Sequence, residues 1–162
     1  MISILNWIVE VSTMILIVED DAHKSSQILE LVNLVIGSGA EVKLVDNVMD
    51  AVRFLFEMTP EKIILDMSLP SHKALPGQGT PVPLPTGGIE VLLELRMKSH
   101  MGLPILILTQ YPEIEIEDEP VPVAESALTF QEEYGFTDIE ACYYDHNDSK
   151  PWKQKTMEFL KS

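Results

Sequence analysis

Three short apolar runs, each followed by acidic or hydroxyl residues, constrain the fold of this chain more than any other feature. The runs and the residues that end them are Met14–Val18 with Glu19, Asp20 and Asp21, Lys62–Leu65 with Asp66, and Pro104–Leu108 with Thr109. Continuous Val, Ile and Leu runs are typical of parallel strands that are buried on both faces. Ligands of open α/β sheets bind at the carboxyl ends of the strands, so these polar residues are expected to share one pocket. Clustered carboxylates repel one another unless a cation joins them, and oxygen ligands favour Mg²⁺.

The rest of the chain alternates between helical and strand patterns. Apolar residues recur at helical spacing on one face of a helix predicted from His23 to Ile36. The other predicted elements are strand two at Glu41–Val45, helices at Val48–Met58, Gly88–Ser99 and Val123–Tyr134, strand five at Glu140–Tyr144 and a last helix at Trp152–Lys161. This order predicts an α/β, flavodoxin-like (βα)5 three-layer sandwich with a parallel sheet of order 2-1-3-4-5. Strands one and three would then be neighbours, which brings Glu19 and Asp20 next to Asp66.

Two long insertions follow strands three and four. Ser71–Thr86 is rich in proline and glycine, so it is predicted to be irregular. Tyr111–Pro122 is acidic, and its alternation of Ile114 and Ile116 with acids permits a short exposed strand, although a solvated loop is the preferred interpretation. Both insertions begin at the carboxyl edge of the sheet, so we expect them to cover part of the pocket and to form a partner surface. The alternative is that both are mobile and dispensable.

Composition limits the classes of partner. The chain has 162 residues, which predicts one domain, and 26 acidic against 11 basic residues give a net charge of −15. This charge argues against nucleic acid and anionic membranes, and it favours cations or a basic protein face. A merely soluble surface is the alternative interpretation. Cys142 is the single cysteine, which excludes an internal disulfide and predicts a reducing, cytoplasmic compartment.

The first residues are interpreted as an N-terminal extension, residues 1–13, ahead of a domain over residues 14–162. Ile2–Val11 is apolar but too short to span a bilayer, and it lacks the basic region and cleavage site of a signal peptide. It could be an added strand, a docking segment, or upstream sequence before a functional start at Met14. The sequence leaves all three open.

Four stretches together resemble the receiver domain of bacterial response regulators. They are Ile15–Asp21, Ile63–Pro70, Pro104–Thr109 and the pair Lys150-Pro151. The resemblance extends from about Met14 to Lys161. It implies that Asp66 accepts a phosphoryl group, that Thr109 hydrogen-bonds a phosphoryl oxygen and that Lys150 pairs with another. It also implies a Mg²⁺ site made of Glu19, Asp20, Asp66 and the backbone carbonyl of Ser68.

The resemblance implies a single-domain response regulator and not a dedicated enzyme. Its partners would be a histidine kinase or histidine phosphotransfer protein, and a downstream protein of unknown identity that it signals to by contact. Metaphosphate-like transition states need neutralised charge and good positioning, which a divalent ion, an ammonium and a hydroxyl supply.

Some residues depart from the family pattern and leave other functions open. Gln110 occupies a position where receivers usually have a small residue, and Asp145–Ser149 separates Lys150 from strand five. We expect Asp145–Ser149 to loop out, so that the Lys150 ammonium returns to the pocket. The alternative is a phosphorylation-independent, receiver-like interaction module. An enzyme on the same architecture ranks last, because the chain has no phosphate-cradling glycine loop and no GxSxG elbow. Asp20 and Asp21 could also simply cap the first helix.

Overall fold

A computed structural model describes residues 12–162 of the chain. The extension predicted at residues 1–13 therefore falls mostly outside the described residues, although Thr13 is already the first residue of β1. The strands are β1 (Thr13–Val18), β2 (Ala40–Val45), β3 (Lys62–Leu65), β4 (Ile105–Thr109), β5 (Glu113–Ile116), β6 (Glu119–Pro122) and β7 (Ile139–Tyr143). The α-helices are α1 (Ala22–Val35), α2 (Val48–Glu57), α3 (Gly87–Met97), α4 (Val123–Tyr134) and α5 (Lys150–Lys161).

The main sheet has five parallel strands in the order β2-β1-β3-β4-β7. Since β7 is the fifth strand of this sheet, the predicted order 2-1-3-4-5 is confirmed. Alternate residues of each strand enter two apolar clusters. Ile15, Ile17 and Ile64 pack with α1 and α5 on one face, and residues such as Leu16 and Leu65 pack with α2, α3 and α4 on the other. Helices on both faces make the three layers and explain why the central strands are apolar throughout.

Three helices, α1, α3 and α5, start one or two residues earlier than the sequence predicts, and local features account for the starts of α1 and α5. Asp21 caps α1, because its side chain accepts a hydrogen bond of 2.8 Å from the Lys24 backbone N–H. Capping therefore accounts for Asp21, while Asp20 remains available to the site. α5 begins at Lys150 and not at Trp152, since Pro151 fits the first helical turn, where no backbone N–H is needed.

The second insertion corrects the sequence analysis, because the preferred interpretation of Tyr111–Pro122 as a solvated loop is wrong. The segment forms the antiparallel hairpin β5–β6. Ile114 and Ile116 are each only 2% exposed and belong to the same apolar cluster as α4. The prolines of β6 disguised the strand, but proline is compatible with the edge strand of a two-stranded hairpin. The alternation of isoleucine with glutamate was the correct signal.

The first insertion is irregular, as predicted, but it is tied to the sheet edge. Leu69 and Leu84 form an isolated antiparallel bridge, with N–H···O distances of 3.1 and 2.8 Å. This bridge returns the chain to the start of α3 directly beside the segment that follows β3. Among the described residues, no helix is long and apolar enough to cross a membrane.

Helix α3 packs so closely against the segment that follows β3 that position 88 has to be glycine. A Cβ atom on Gly88 would lie 2.4 Å from the Asp66 carbonyl oxygen and 2.8 Å from the Met67 Cα atom. We expect Gly88→Ala to lower the free energy of unfolding by about 1–3 kcal/mol, the usual cost of overpacking, despite the better helix propensity of alanine. Denaturant unfolding followed by circular dichroism measures this.

Gly79→Ala is the matched control, because a Cβ atom there would meet no heavy atom within 4 Å. Its unfolding midpoint should stay at the wild-type value. Equal midpoints for the Gly88 and Gly79 variants would contradict the close packing of α3 against the Asp66 backbone.

Candidate functional site

Three acidic side chains converge at the carboxyl edge of the sheet. Glu19 and Asp20 follow β1 and Asp66 follows β3, and these two strands are hydrogen-bonded neighbours. One carboxylate oxygen from each residue lies within 4.8 Å of the other two. Glu19 and Asp66 are buried, whereas Asp20 is exposed and marks the side from which solvent reaches the cluster. The predicted convergence of the three acids is therefore observed.

Lys24 completes this cluster, although it is not among the site residues predicted from the sequence. Its side chain is 1% exposed, and its Nζ atom lies 2.5 Å from Glu19 Oε2 and 3.4 Å from Asp66 Oδ1. Nζ also donates a 2.6 Å hydrogen bond to the backbone carbonyl of Leu108 at the end of β4. The ammonium thus has three acceptors for its three hydrogens, which is the condition for burying such a charge.

A sequence signal for Lys24 existed. Lys24, Ile28 and Leu31 recur at spacings of four and three, and all three are buried on the same face of α1. A lysine inside the apolar stripe of a helix must either reach solvent or find a buried partner. Its partners lie at the carboxyl ends of three different strands, so they can be identified only from the tertiary structure.

Burial and the nearby positive charge shift the pKa values of the acids in opposite directions. Burial raises the pKa of Glu19 and the pKa of Asp66, and the nearby Lys24 ammonium opposes that rise for both carboxyls. Partial burial also raises the pKa of Asp20. When all four groups are ionised, three carboxylates and one ammonium leave a net negative charge at the cluster. That charge and the all-oxygen donor set fit a hard divalent cation such as Mg²⁺.

Thr109 and Ser68 lie at the neighbouring part of the edge. Thr109 is fully buried, and its Oγ1 atom accepts a 3.2 Å hydrogen bond from the Tyr111 backbone N–H. Ser68 is also buried, and it lines one cavity together with Thr109. Gln110 is half-buried and does not line this cavity.

The structure does not bring Lys150 to the cluster. Lys150 is exposed as the first residue of α5, and no carboxylate of the described residues lies within ion-pair distance of its ammonium. The expected return of this ammonium to the pocket is therefore not observed. Two local features accompany this position of Lys150. The Asp145 side chain closes a turn with the Asn147 N–H at 2.8 Å, and Pro151 directs the chain into the helix at once.

The two insertions line a half-open cavity of about 580 Å³ beside the cluster. One wall comes from the proline-rich insertion at Val82, Pro83 and Pro85, and the opposite wall comes from the β5–β6 hairpin. Ser68 and Thr109 are also among its lining residues, so the cavity reaches the same edge of the sheet as Asp66.

No protein-family model matches the sequence. The structure resembles solved receiver domains. A receiver domain of a Pseudomonas aeruginosa sensor histidine kinase, with a magnesium ion coordinated in its active-site cleft, is 18% identical, with a TM-score of 0.56 over 93% of this chain and 99% of that one. A phosphorylated cyanobacterial phytochrome response regulator is 18% identical, with a TM-score of 0.59 over 93% and 89%. A CheY-like receiver protein of Methanospirillum hungatei is 16% identical, with a TM-score of 0.56 over 92% and 94%.

These likenesses show the fold. The chain has the receiver-domain fold, and the carboxyl edge of its sheet carries the Glu19–Asp20–Asp66 cluster. At this level of identity, the roles of individual side chains have to be argued from their own geometry.

We expect Mg²⁺ to bind this cluster and Asp20→Ala to weaken the binding by more than about tenfold, since even residues outside the ligand shell contribute that much at metal sites. Because the pKa values of Glu19 and Asp66 are raised, binding should release protons and tighten as the pH rises from mildly acidic to mildly basic values. Titration calorimetry in buffers of different ionisation enthalpy measures both effects.

Asp138→Ala is the control for this titration, because it removes an equally exposed acid just before β7, at the opposite edge of the sheet. Its Mg²⁺ affinity should match the wild type. Equal weakening by the Asp20 and Asp138 variants would show that only the overall negative charge attracts the ion.

Proposed function

We propose that this chain is a receiver protein that accepts a phosphoryl group on Asp66 and signals by contact with another protein. The proposed donors are the phosphohistidine of a histidine kinase or of a histidine phosphotransfer protein. The observation that carries the proposal is the Asp66 carboxylate, buried beside two further acids and 3.4 Å from a buried ammonium. A cytoplasmic location and the absence of nucleic-acid and membrane partners remain predictions from composition.

The two oxygens of Asp66 are not equivalent. Oδ1 accepts a 2.8 Å hydrogen bond from the Met67 backbone N–H and faces the Lys24 ammonium. This leaves Oδ2 to attack phosphorus. In the proposed step the Oδ2–P bond forms and the P–N bond of the donor breaks. The donor ring, which carries a proton on its other nitrogen, leaves with the bonding electron pair as neutral imidazole. The product on this chain is an aspartyl phosphate, and no dedicated enzymatic turnover is implied.

Several groups of this chain are suited to the charge that such a transfer develops. We propose that Glu19, Asp20, Asp66 and the backbone carbonyl of Ser68 hold Mg²⁺, which would neutralise phosphoryl oxygens when bound. The Thr109 hydroxyl accepts its hydrogen bond from Tyr111 N–H, so its own hydrogen is free to donate to a phosphoryl oxygen.

We assign to Lys24 the pairing role that the sequence resemblance gives to Lys150. Lys24 Nζ is already held 3.4 Å from Asp66 Oδ1 by the Leu108 carbonyl, whereas Lys150 is exposed. A phosphoryl group on Asp66 adds negative charge next to this ammonium. Lys24 can then exchange its contact with Glu19 for a phosphoryl oxygen while it keeps its anchor on β4.

A second candidate is a receiver-like module that binds its partner without phosphorylation. The observation in its favour is the same ion pair, since Lys24 compensates Glu19 and Asp66 before any phosphoryl group arrives. In that case the Lys24 ammonium takes the place of the metal ion and compensates the charge of the two buried carboxylates. Phosphorylation assays separate the two candidates.

With Mg²⁺ and acetyl phosphate, we expect one phosphoryl adduct on the wild-type chain and none on Asp66→Asn, which keeps the shape but lacks the nucleophile. Intact-mass spectrometry measures the adduct. Asp46→Asn is the control, because it changes a nearby acid that is not part of the three-acid cluster, and it should be modified like the wild type. A wild-type chain that stays unmodified at high donor concentration would favour the phosphorylation-independent module.

For the lysines, we expect Lys24→Met to slow the modification of Asp66 by about a hundredfold, the usual loss when one preorganised charge-stabilising donor is removed. Lys150→Met is the matched control and should react at the wild-type rate. The same mass assay, followed over time, gives both rates. If Lys150→Met slows the modification of Asp66 and Lys24→Met does not, the pairing role belongs to Lys150.

Removing the Lys24 ammonium leaves two buried carboxylates uncompensated, which typically costs about 3–5 kcal/mol. The double variant Lys24→Met with Glu19→Gln removes one charge of each sign. It leaves fewer uncompensated buried carboxylates than Lys24→Met alone, so it is expected to fold. Its far-ultraviolet circular dichroism should match the wild type. If the double variant folds and is modified at the wild-type rate, Lys24 has no role in the transfer.

A further inference from the structure

The cavity between the two insertions has the size and chemistry of a binding site, and the proposed phosphotransfer uses only two of its lining residues, Ser68 and Thr109. Its volume of about 580 Å³ lies in the range of ligand pockets. Its walls include apolar side chains from both insertions, among them Val82, Pro83, Pro85, Ile114 and Pro120. Val82 is 80% exposed, so this wall presents apolar surface to solvent.

The rim of the cavity is acidic. Glu113, Glu115 and Asp118 are among its lining residues, and no lysine, arginine or histidine of the described chain lines it. All three acids are exposed, and none has a basic partner within 4.0 Å among the described residues. The negative charge on this rim is therefore not compensated within the described part of the chain.

The hairpin fixes these acids in place. Its alternation buries Ile114 and Ile116 in the core and turns Glu113 and Glu115 outward. The turn at the tip holds Glu117 and Asp118 at positive φ values of 52° and 65°, as a two-residue type I′ hairpin turn requires. The Tyr134 hydroxyl also donates a 3.3 Å hydrogen bond to Glu117. The acids thus stand on an anchored strand pair, which lowers the entropy lost when a partner binds.

We propose that this cavity docks a basic segment of a partner protein. An apolar side chain of that segment fills the space between Val82 and Ile114, and its lysine or arginine residues pair with Glu113, Glu115 and Asp118. The uncompensated acidic rim selects a cationic partner and repels an acidic one. Because the walls are apolar, the molecule that binds there must carry an apolar group as well as positive charge. The docking does not depend on phosphorylation of Asp66, so it is measured on the unmodified chain.

Three synthetic peptides test the proposal by NMR titration of the labelled full-length protein. The first carries a central leucine–phenylalanine pair flanked by lysine and arginine. The second keeps the apolar pair with glutamate flanks, and the third keeps the basic flanks with alanine in place of the apolar pair. We expect only the first to shift the resonances of Val82, Ile114 and Thr109 in a saturable way.

Charge-reversal variants locate the contact. Glu113→Lys with Glu115→Lys should weaken binding of the first peptide by about tenfold or more, because it places like charges against the basic flanks. The control is Glu30→Lys with Glu57→Lys, which makes the same change in net charge on exposed residues of α1 and α2. This control should weaken binding by no more than about twofold, as expected of distant, screened charges.

A steric variant gives an independent readout. Val82→Trp adds bulk at an exposed position of the wall and should reduce binding without changing the net charge or the unfolding midpoint. Three results would overturn the proposal. They are binding of the glutamate-flanked peptide as tightly as the basic one, equal weakening by the two charge-reversal pairs, and absence of saturable shifts at the cavity with all three peptides.

Discussion

The buried ammonium of Lys24 is the interaction on which the carboxyl edge of the sheet depends. It ties α1 to Glu19 after β1, to Asp66 after β3 and to the Leu108 carbonyl of β4. Without it, two buried carboxylates would face each other uncompensated, at a cost of several kcal/mol. One side chain therefore links the first helix, which packs through Ile28, Leu31 and Val32, to the electrostatics of the acidic cluster. Any cation or phosphoryl group that enters the cluster has to compete or cooperate with this ammonium.

Two chemically distinct features share the same edge of the sheet. The acidic cluster is compact and hydrophilic, while the adjacent cavity has apolar walls and an acidic rim. Ser68 and Thr109 line the cavity and are also the residues proposed to contact the metal or the phosphoryl group. Docking at the cavity is proposed to occur on the unmodified chain, and any effect of it on binding at the acidic cluster would have to be reciprocal.

The sequence predicts the inner sheet well, because continuous apolar runs have few alternative structures. The strand order and the meeting of Glu19, Asp20 and Asp66 follow from those runs. Features that depend on contacts between distant elements were missed. Lys24 lies in the apolar stripe of α1 but finds its partners on three strands, and the β5–β6 hairpin was hidden by its prolines. The lysine–proline pair at Lys150 predicted a contact with the cluster, but Lys150 is exposed at the start of α5 and forms no ion pair among the described residues.

A crystal structure of the chain with Mg²⁺ and beryllofluoride tests most directly whether Lys24 supplies the cation that pairs with modified Asp66. We expect a beryllofluoride group on Asp66 Oδ2, with Lys24 Nζ within hydrogen-bond distance of a fluorine and still bonded to the Leu108 carbonyl. Lys150 should remain exposed. An adduct paired with Lys150, with Lys24 still bound to Glu19, would contradict the role of Lys24, and so would a cluster that takes up neither Mg²⁺ nor beryllofluoride.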